Sequence, residues 1–223
     1  MIARRGVVGA ITALLWLPWV SHLALAVPMA QREFDWVLKR TPDLAKGAKL
    51  YETCAACHRN GGEGVADGSV PAIAGQYFMV VAKQLVDFRS GVRRDARMQH
   101  FSDTPYLAYS QYIADVAAYI GSLPRPVPDR TFSAEVMGRG AVVYTRACER
   151  CHGPEGEGSE DELTPRLASQ HPEYLVRQLD DAVARWRPAM QDTHGALLAD
   201  LSRKDIVAVA SYVSALGALA AAK

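Results

Sequence analysis

Cys54-Ala-Ala-Cys57-His58 and Cys148-Glu-Arg-Cys151-His152 use all four cysteines of the chain in two copies of one five-residue pattern. Two thiols three positions apart on one helical turn can both reach the vinyl groups of a single haem. The histidine directly after them then lies under the iron as an axial ligand. Two such motifs imply two covalently bound haem c groups, with Cys54, Cys57, Cys148 and Cys151 as attachment points and His58 and His152 as proximal ligands. The rival chemistries fit less well. Structural zinc brings two Cys-x-x-Cys pairs within about 15–20 residues of each other, whereas these lie 94 apart. A redox dithiol of the thioredoxin type needs a βαβ context that is missing. A disulfide inside Cys-x-x-Cys closes too short a loop to staple much.

The elements that must carry these motifs repeat with them. At the same offset Gly62 and Gly64 match Gly156 and Gly158, Pro71, Ala74 and Gln76 match Pro165, Ala168 and Gln170, and Gln84-Leu85 matches Gln178-Leu179. A two-residue deletion then aligns Arg93 with Arg185 and Met98 with Met190. With one residue restored, Ile113, Val116, Tyr119, Ile120 and Leu123 align with Ile206, Val209, Tyr212, Val213 and Leu216. Two copies make a tandem duplication, not a solenoid. The last set recurs at spacings of three and four, the signature of a buried helix face. Helices are expected from Thr41-Pro42 into the first motif, over Tyr77–Arg89 and near Glu173–Ala184. Others are expected from Ser133 and from the capping signature Ser202-x-x-Asp205. No segment alternates with period two, so the fold class is all-α with little β-structure.

The alternating prolines Pro124, Pro126 and Pro128 forbid a continuous helix and mark a boundary. The expected organisation is an export signal over 1–26, a first domain over 27–124, a proline-rich linker over 125–130 and a second domain over 131–223. The signal has Arg4 and Arg5, an apolar stretch, and the small residues Ala24-Leu25-Ala26 before the cut. No Lys, Arg, Asp or Glu occurs from Gly6 to Gln31, so the alternative is an uncleaved membrane anchor, and peripheral membrane association is compatible with either. Both readings place the remainder across the membrane, in the periplasm. With 49% hydrophobic and 22% charged residues and a net charge of +1, the chain is an ordinary globular protein. Neither disorder nor nucleic-acid binding has compositional support.

These residues resemble the tandem two-haem class I cytochromes c, in particular the cytochrome c4 group, from about Thr41 to Leu216. Carrying the resemblance are the two Cys-x-x-Cys-His motifs with their following glycines, Pro71-Ala-Ile-Ala-Gly75-Gln76, Pro165-Arg-Leu-Ala-Ser-Gln170, Met98 before Tyr119 and Met190 before Tyr212. It departs at Arg59, where a glycine is usual after the histidine, and it leaves Gln31–Arg40 unexplained. The resemblance implies two class I domains, each wrapped around one haem, with the carbonyls of Pro71 and Pro165 accepting hydrogen bonds from the proximal histidines. It also places a distal methionine in the loop before the last helix.

Met98 and Met190 occupy that place, between helices and matched by the duplication. Met79 and Met137 have no such partner and are read as core filler. His100 and His194 are the competitors, and the alignment favours the methionines. Methionine opposite histidine raises the reduction potential and closes the iron to substrate, which suits electron transfer. Arg93, Arg94 and Arg97, and the acidic run Glu155–Glu162, are read as solvated loop faces, the alternative being that they orient the two domains or steer redox partners, and His171 as a surface residue. The chain is accordingly expected to be a periplasmic electron carrier and not an enzyme. By resemblance, a quinol-oxidising complex would be its donor and a membrane-bound terminal oxidase its acceptor. The alternative is the dihaem subunit of a periplasmic dehydrogenase, such as a flavocytochrome c sulfide dehydrogenase. A two-haem peroxidase is disfavoured by the aligned methionines.

Overall fold

The structure, a computed structural model, describes residues 19–103, 105–126, 130–184 and 187–221. Arg185, residues 127–129 of the proline segment and residues 1–18 of the expected export signal lie outside these. The described residues form α1 (Trp19–Leu38), α2 (Leu44–His58), α3 (Phe78–Arg89), α4 (Ala96–Ser102), α5 (Ser110–Ser122), α6 (Ala134–Ala147), α7 (Glu149–His152), α8 (Pro172–Val183), α9 (Pro188–Ala199) and α10 (Arg203–Ala221). Among them there is no strand, only an isolated bridge between Ser159 and Thr164.

Local signals set most of the helix ends. The Asp43 carboxylate accepts from the backbone N–H groups of Ala45 (3.0 Å) and Lys46 (3.1 Å), so α2 starts after Asp43 and not at Thr41-Pro42. Ser133 caps α6 through Val136 N–H, and Ser202 and Asp205 cap α10 reciprocally, both as expected. Three helices were not anticipated: α1, α4 and α9.

Each half buries its own cluster. The first gathers Tyr51, Val81, Val86, Ile113, Val116 and Ile120, and the second Val143, Tyr144, Leu175, Val209, Val213 and Leu216. At the heart of each, two helices cross at a glycine. A Cβ on Gly47 of α2 would lie 2.2 Å from the Asp115 carbonyl oxygen of α5. One on Gly140 of α6 would lie 2.3 Å from that of Ala208 on α10. The backbones touch there because no side chain intervenes. Beside the crossings, Tyr51 packs on Tyr119 and Tyr144 on Tyr212, with ring centroids 5.3 and 5.6 Å apart.

One insertion sets the approach to the second motif apart from the first. Tyr51 precedes Cys54 by three residues, but Tyr144 precedes Cys148 by four. An extra residue turns everything beyond it by about 100° around a helix. The second copy therefore breaks at Cys148 (φ −122°) and restarts as α7, whereas α2 runs unbroken into its histidine.

Helix α1 accounts for Gln31–Arg40, which the resemblance left unexplained. Ala30, Phe34 and Val37, spaced by four and three, are buried in the first cluster. Glu33 pairs with Arg89 of α3, which also donates to the Leu107 and Ser102 carbonyls. The helix passes through Ala24-Leu25-Ala26, the small residues read as a cleavage site. Among the described residues no helix is long and apolar enough to cross a membrane.

Candidate haem sites

In both halves the helix that enters from the crossing ends on the motif. Cys54 and Cys148 are half-buried, Cys57 and Cys151 exposed, and all four thiols are unpaired. Burial raises the pKa of the Cys54 and Cys148 thiols to about 11. His58 and His152 are 6% and 8% exposed, and desolvation lowers the pKa of both, favouring the neutral ring that ligates a metal.

Each ring is oriented by one hydrogen bond. His58 Nδ1 donates to the Pro71 carbonyl (3.0 Å) and His152 Nδ1 to that of Pro165 (3.2 Å), which leaves the Nε2 lone pairs free. The acceptor is held close by glycine. Gly64 (φ +71°) and Gly158 (φ +65°) lie so near the proline carbonyls that a Cβ would come within 2.5 and 2.6 Å of their oxygens. Tyr51 and Tyr144 donate to the carbonyls of the residues after the histidines, Arg59 (2.7 Å) and Gly153 (2.5 Å).

Arg59 shows what the missing glycine costs. Its φ of 65° and ψ of 168° nearly reproduce the 76° and 162° of Gly153, so the turn survives in a region where side chains are strained by about 1–3 kcal/mol. Arg59→Gly is expected to stabilise the folded protein by about 1 kcal/mol, read as a raised midpoint in denaturant. An unchanged or lowered midpoint would mean that the arginine is unstrained.

The proposed distal residues lie on helices, not in the loops expected for them. Met98 is on α4 and Met190 on α9. Met98 packs against the first cluster; among the described residues no methionine packs against the second. His100 is exposed, its ring against Phe101 (5.0 Å) and Tyr106 (5.4 Å). The His194 ring instead faces His152, centroids 6.2 Å apart. Among the described residues no cluster of three His, Cys, Asp or Glu side chains converges to hold a bare metal ion. One half-buried and one exposed thiol beside a buried, oriented imidazole do fit a covalently bound porphyrin.

Sequence reasoning missed how the halves join. Gln76 Nε2 donates to the Arg166 carbonyl (3.0 Å) and its Oε1 accepts from Arg166 N–H (3.1 Å). Gln170 does the same to Ala72, at 2.7 and 3.0 Å. Gln76 and Gln170 are duplicates, as are Ala72 and Arg166, so the interface is self-complementary in the manner of a two-fold dimer. Ala72 and Arg166 directly follow the prolines that hold the histidines, so each proximal site is fastened to the other half.

His171 is not the surface residue expected, and Glu160 and Arg93 bond across the halves, as the domain-orienting alternative has it and not as solvated faces. His171 bonds Glu63 O across the interface (2.7 Å), and Glu160 of the acidic run accepts from Met79 N–H (3.0 Å). Arg93 is buried, reaching Gln84, Tyr174 and Gln178. Arg187 shares the Gln178 oxygen, and burial with Arg93's charge lowers its pKa to about 10.

A duplicated all-α fold with a Cys-x-x-Cys-His haem anchor in each half defines a dihaem c-type cytochrome, carrying two covalently bound haem c groups. Residues 44–124 match the family described as cytochrome c, and residues 135–213 that described as cytochrome c oxidase, cbb3-type, subunit III. The chain is 32% identical over 195 residues to cytochrome c4 of Azotobacter vinelandii, covering 78% of this chain and 89% of that one. It is also 32% identical to the thiosulfate dehydrogenase electron acceptor of Stutzerimonas stutzeri, covering 81% and 91%. The crystal structure of reduced recombinant cytochrome c4 from Pseudomonas stutzeri superposes with a TM-score of 0.70 at 28% identity, covering 78% of this chain and 99% of that one. The protein belongs to the cytochrome c4 family.

Proposed function

We propose that the protein is exported to the periplasm and relays single electrons between two redox proteins, making no chemical product itself. The domains are those bounded by residues 27–124 and 131–223, joined by 125–130. Cys54 and Cys57 anchor the first haem and Cys148 and Cys151 the second, with His58, His152 and Met98 as axial ligands. The second distal ligand comes from α9, which carries both Met190 and His194. The haems supply a reversible one-electron change at iron; the chain supplies everything that fixes its cost. Neutral imidazoles locked by the Pro71 and Pro165 carbonyls keep the ligands in place as the iron changes charge.

The observation that carries this reading is the reciprocal Gln76–Arg166 and Gln170–Ala72 bonding. It ties the two proximal loops together, as exchange of electrons between the halves requires. The donor we propose is a quinol-oxidising complex and the acceptor a terminal oxidase. A second reading, as the acceptor subunit of a periplasmic dehydrogenase, is supported by the relative named for accepting electrons from thiosulfate dehydrogenase.

Mixing the reduced holoprotein with oxidase-containing membranes is expected to reoxidise both haems within seconds. Failure there, with purification as a stable complex with a dehydrogenase that reduces it, would favour the second reading. Peroxide turnover by the pure protein would overturn both.

A further inference from the structure

We infer that the second iron is held between His152 and His194, two histidines, and that Met190 is not a ligand. The inference rests on the haem reading above and departs from the methionine expected at that position. With metal–imidazole bonds of about 2.0 Å, two rings on opposite sides of one metal have centroids about 6 Å apart. The His152 and His194 centroids are 6.2 Å apart, with planes inclined by 46°. Both rings are oriented alike. His152 Nδ1 donates to the Pro165 carbonyl (3.2 Å) and His194 Nδ1 to that of Met190 (3.1 Å). Thr193 Oγ1, 2.7 Å from His194 Nδ1, donates to the same Met190 carbonyl (3.1 Å) and so accepts from the ring, and each Nε2 keeps its lone pair.

The alignment that favoured Met190 does not survive the structure. Arg93 bonds Gln84 Oε1 (2.6 Å) and Arg187 bonds Gln178 Oε1 (2.8 Å), nine residues on in each case. Arg187, not Arg185, is therefore the counterpart of Arg93, and the 94-residue offset continues through Arg187 with no deletion before it. Under it His194 matches His100, and Met190 matches Ala96. Met190 stands one turn before His194 on α9 and holds the histidine with its carbonyl. In the first half His100 is turned into the Phe101–Tyr106 pair, and Met98 packs on the core instead.

The two irons thus differ in ligand set, histidine–methionine in the first half and bis-histidine in the second. Methionine raises a haem's potential relative to a second imidazole, so the second haem is the more reducing and electrons run from it toward the first.

The test uses the weak near-red absorbance that methionine sulfur gives with oxidised haem iron. The holoprotein carrying two covalent haems is expected to show that band for one haem only. Met190→Leu is expected to leave it unchanged, and His194→Met to double it and draw the two reduction steps together. A band worth two haems in the unaltered protein, or one halved by Met190→Leu, overturns the inference. Fewer than two covalent haems per chain would fail the haem reading itself, which mass spectrometry measures separately.

Discussion

Replacing both Cys54 and Cys57 with serine is expected to halve the haem carried by the chain and to unfold its first half. Nothing else in that half holds the porphyrin covalently. Each half is under 100 residues, a size at which an apolar core alone is marginal and a bound group contributes folding energy. The side chains that would surround the haem make the loss worse. His58 is 6% exposed and donates from one nitrogen only, so an empty site strands the other inside the core. The expected readout is an intact mass lower by one haem, half the c-type α-band on reduction, and about half the helical signal lost by circular dichroism. Two haems retained in the double variant would show that Cys54 and Cys57 do not anchor one. Cys54→Ser alone leaves one thioether site, and an intermediate effect is expected of it.

The helix crossings give the second large effect, with its sign set by packing and not by propensity. Alanine normally exceeds glycine inside a helix by about 0.8–1.0 kcal/mol. At Gly47 and Gly140 it should instead destabilise by about 3 kcal/mol, because the new Cβ would sit 2.2 or 2.3 Å from a carbonyl oxygen of the facing helix. Backbone cannot rotate aside as a side chain can, so α2 and α5, or α6 and α10, must separate. Gly138 is the internal control. It lies on α6 just two residues before Gly140, is exposed and has nothing within 4 Å of its added Cβ. Gly138→Ala is expected to stabilise while Gly140→Ala destabilises, both read from denaturant unfolding of the holoprotein. Equal shifts at the two positions would remove the close crossing.

The duplicated Ile113, Val116, Tyr119 and Ile120 face is legible because a buried helix stripe must repeat at three and four, and all four pack in the first cluster. Ser133, Ser202 and Asp205 are legible because caps act within one turn. Nothing in the sequence marks Gly47 and Gly140 as crossings, although both sit four residues before the matched tyrosines Tyr51 and Tyr144. A glycine inside a helix reads as a mere weakness until the facing helix is known. Arg93 reads from the sequence as a solvated charge, since a charge by itself names no partner; its burial against Tyr174 and Gln178 comes from the other half.

The sequence by itself determined the attachment chemistry, the number of haems and the helical class. Each of those is written locally: two thiols and a histidine within five consecutive residues, and helix faces that repeat at three and four. The tertiary structure alone decided what comes from far along the chain. Helix α1 folds onto α3 and α5, Gln76 and Gln170 clasp opposite halves, and α9 turns His194 toward His152 across 42 residues. Spacing in a sequence fixes which residues share a helix face. Which of two side chains on one face points inward depends on where the whole helix docks.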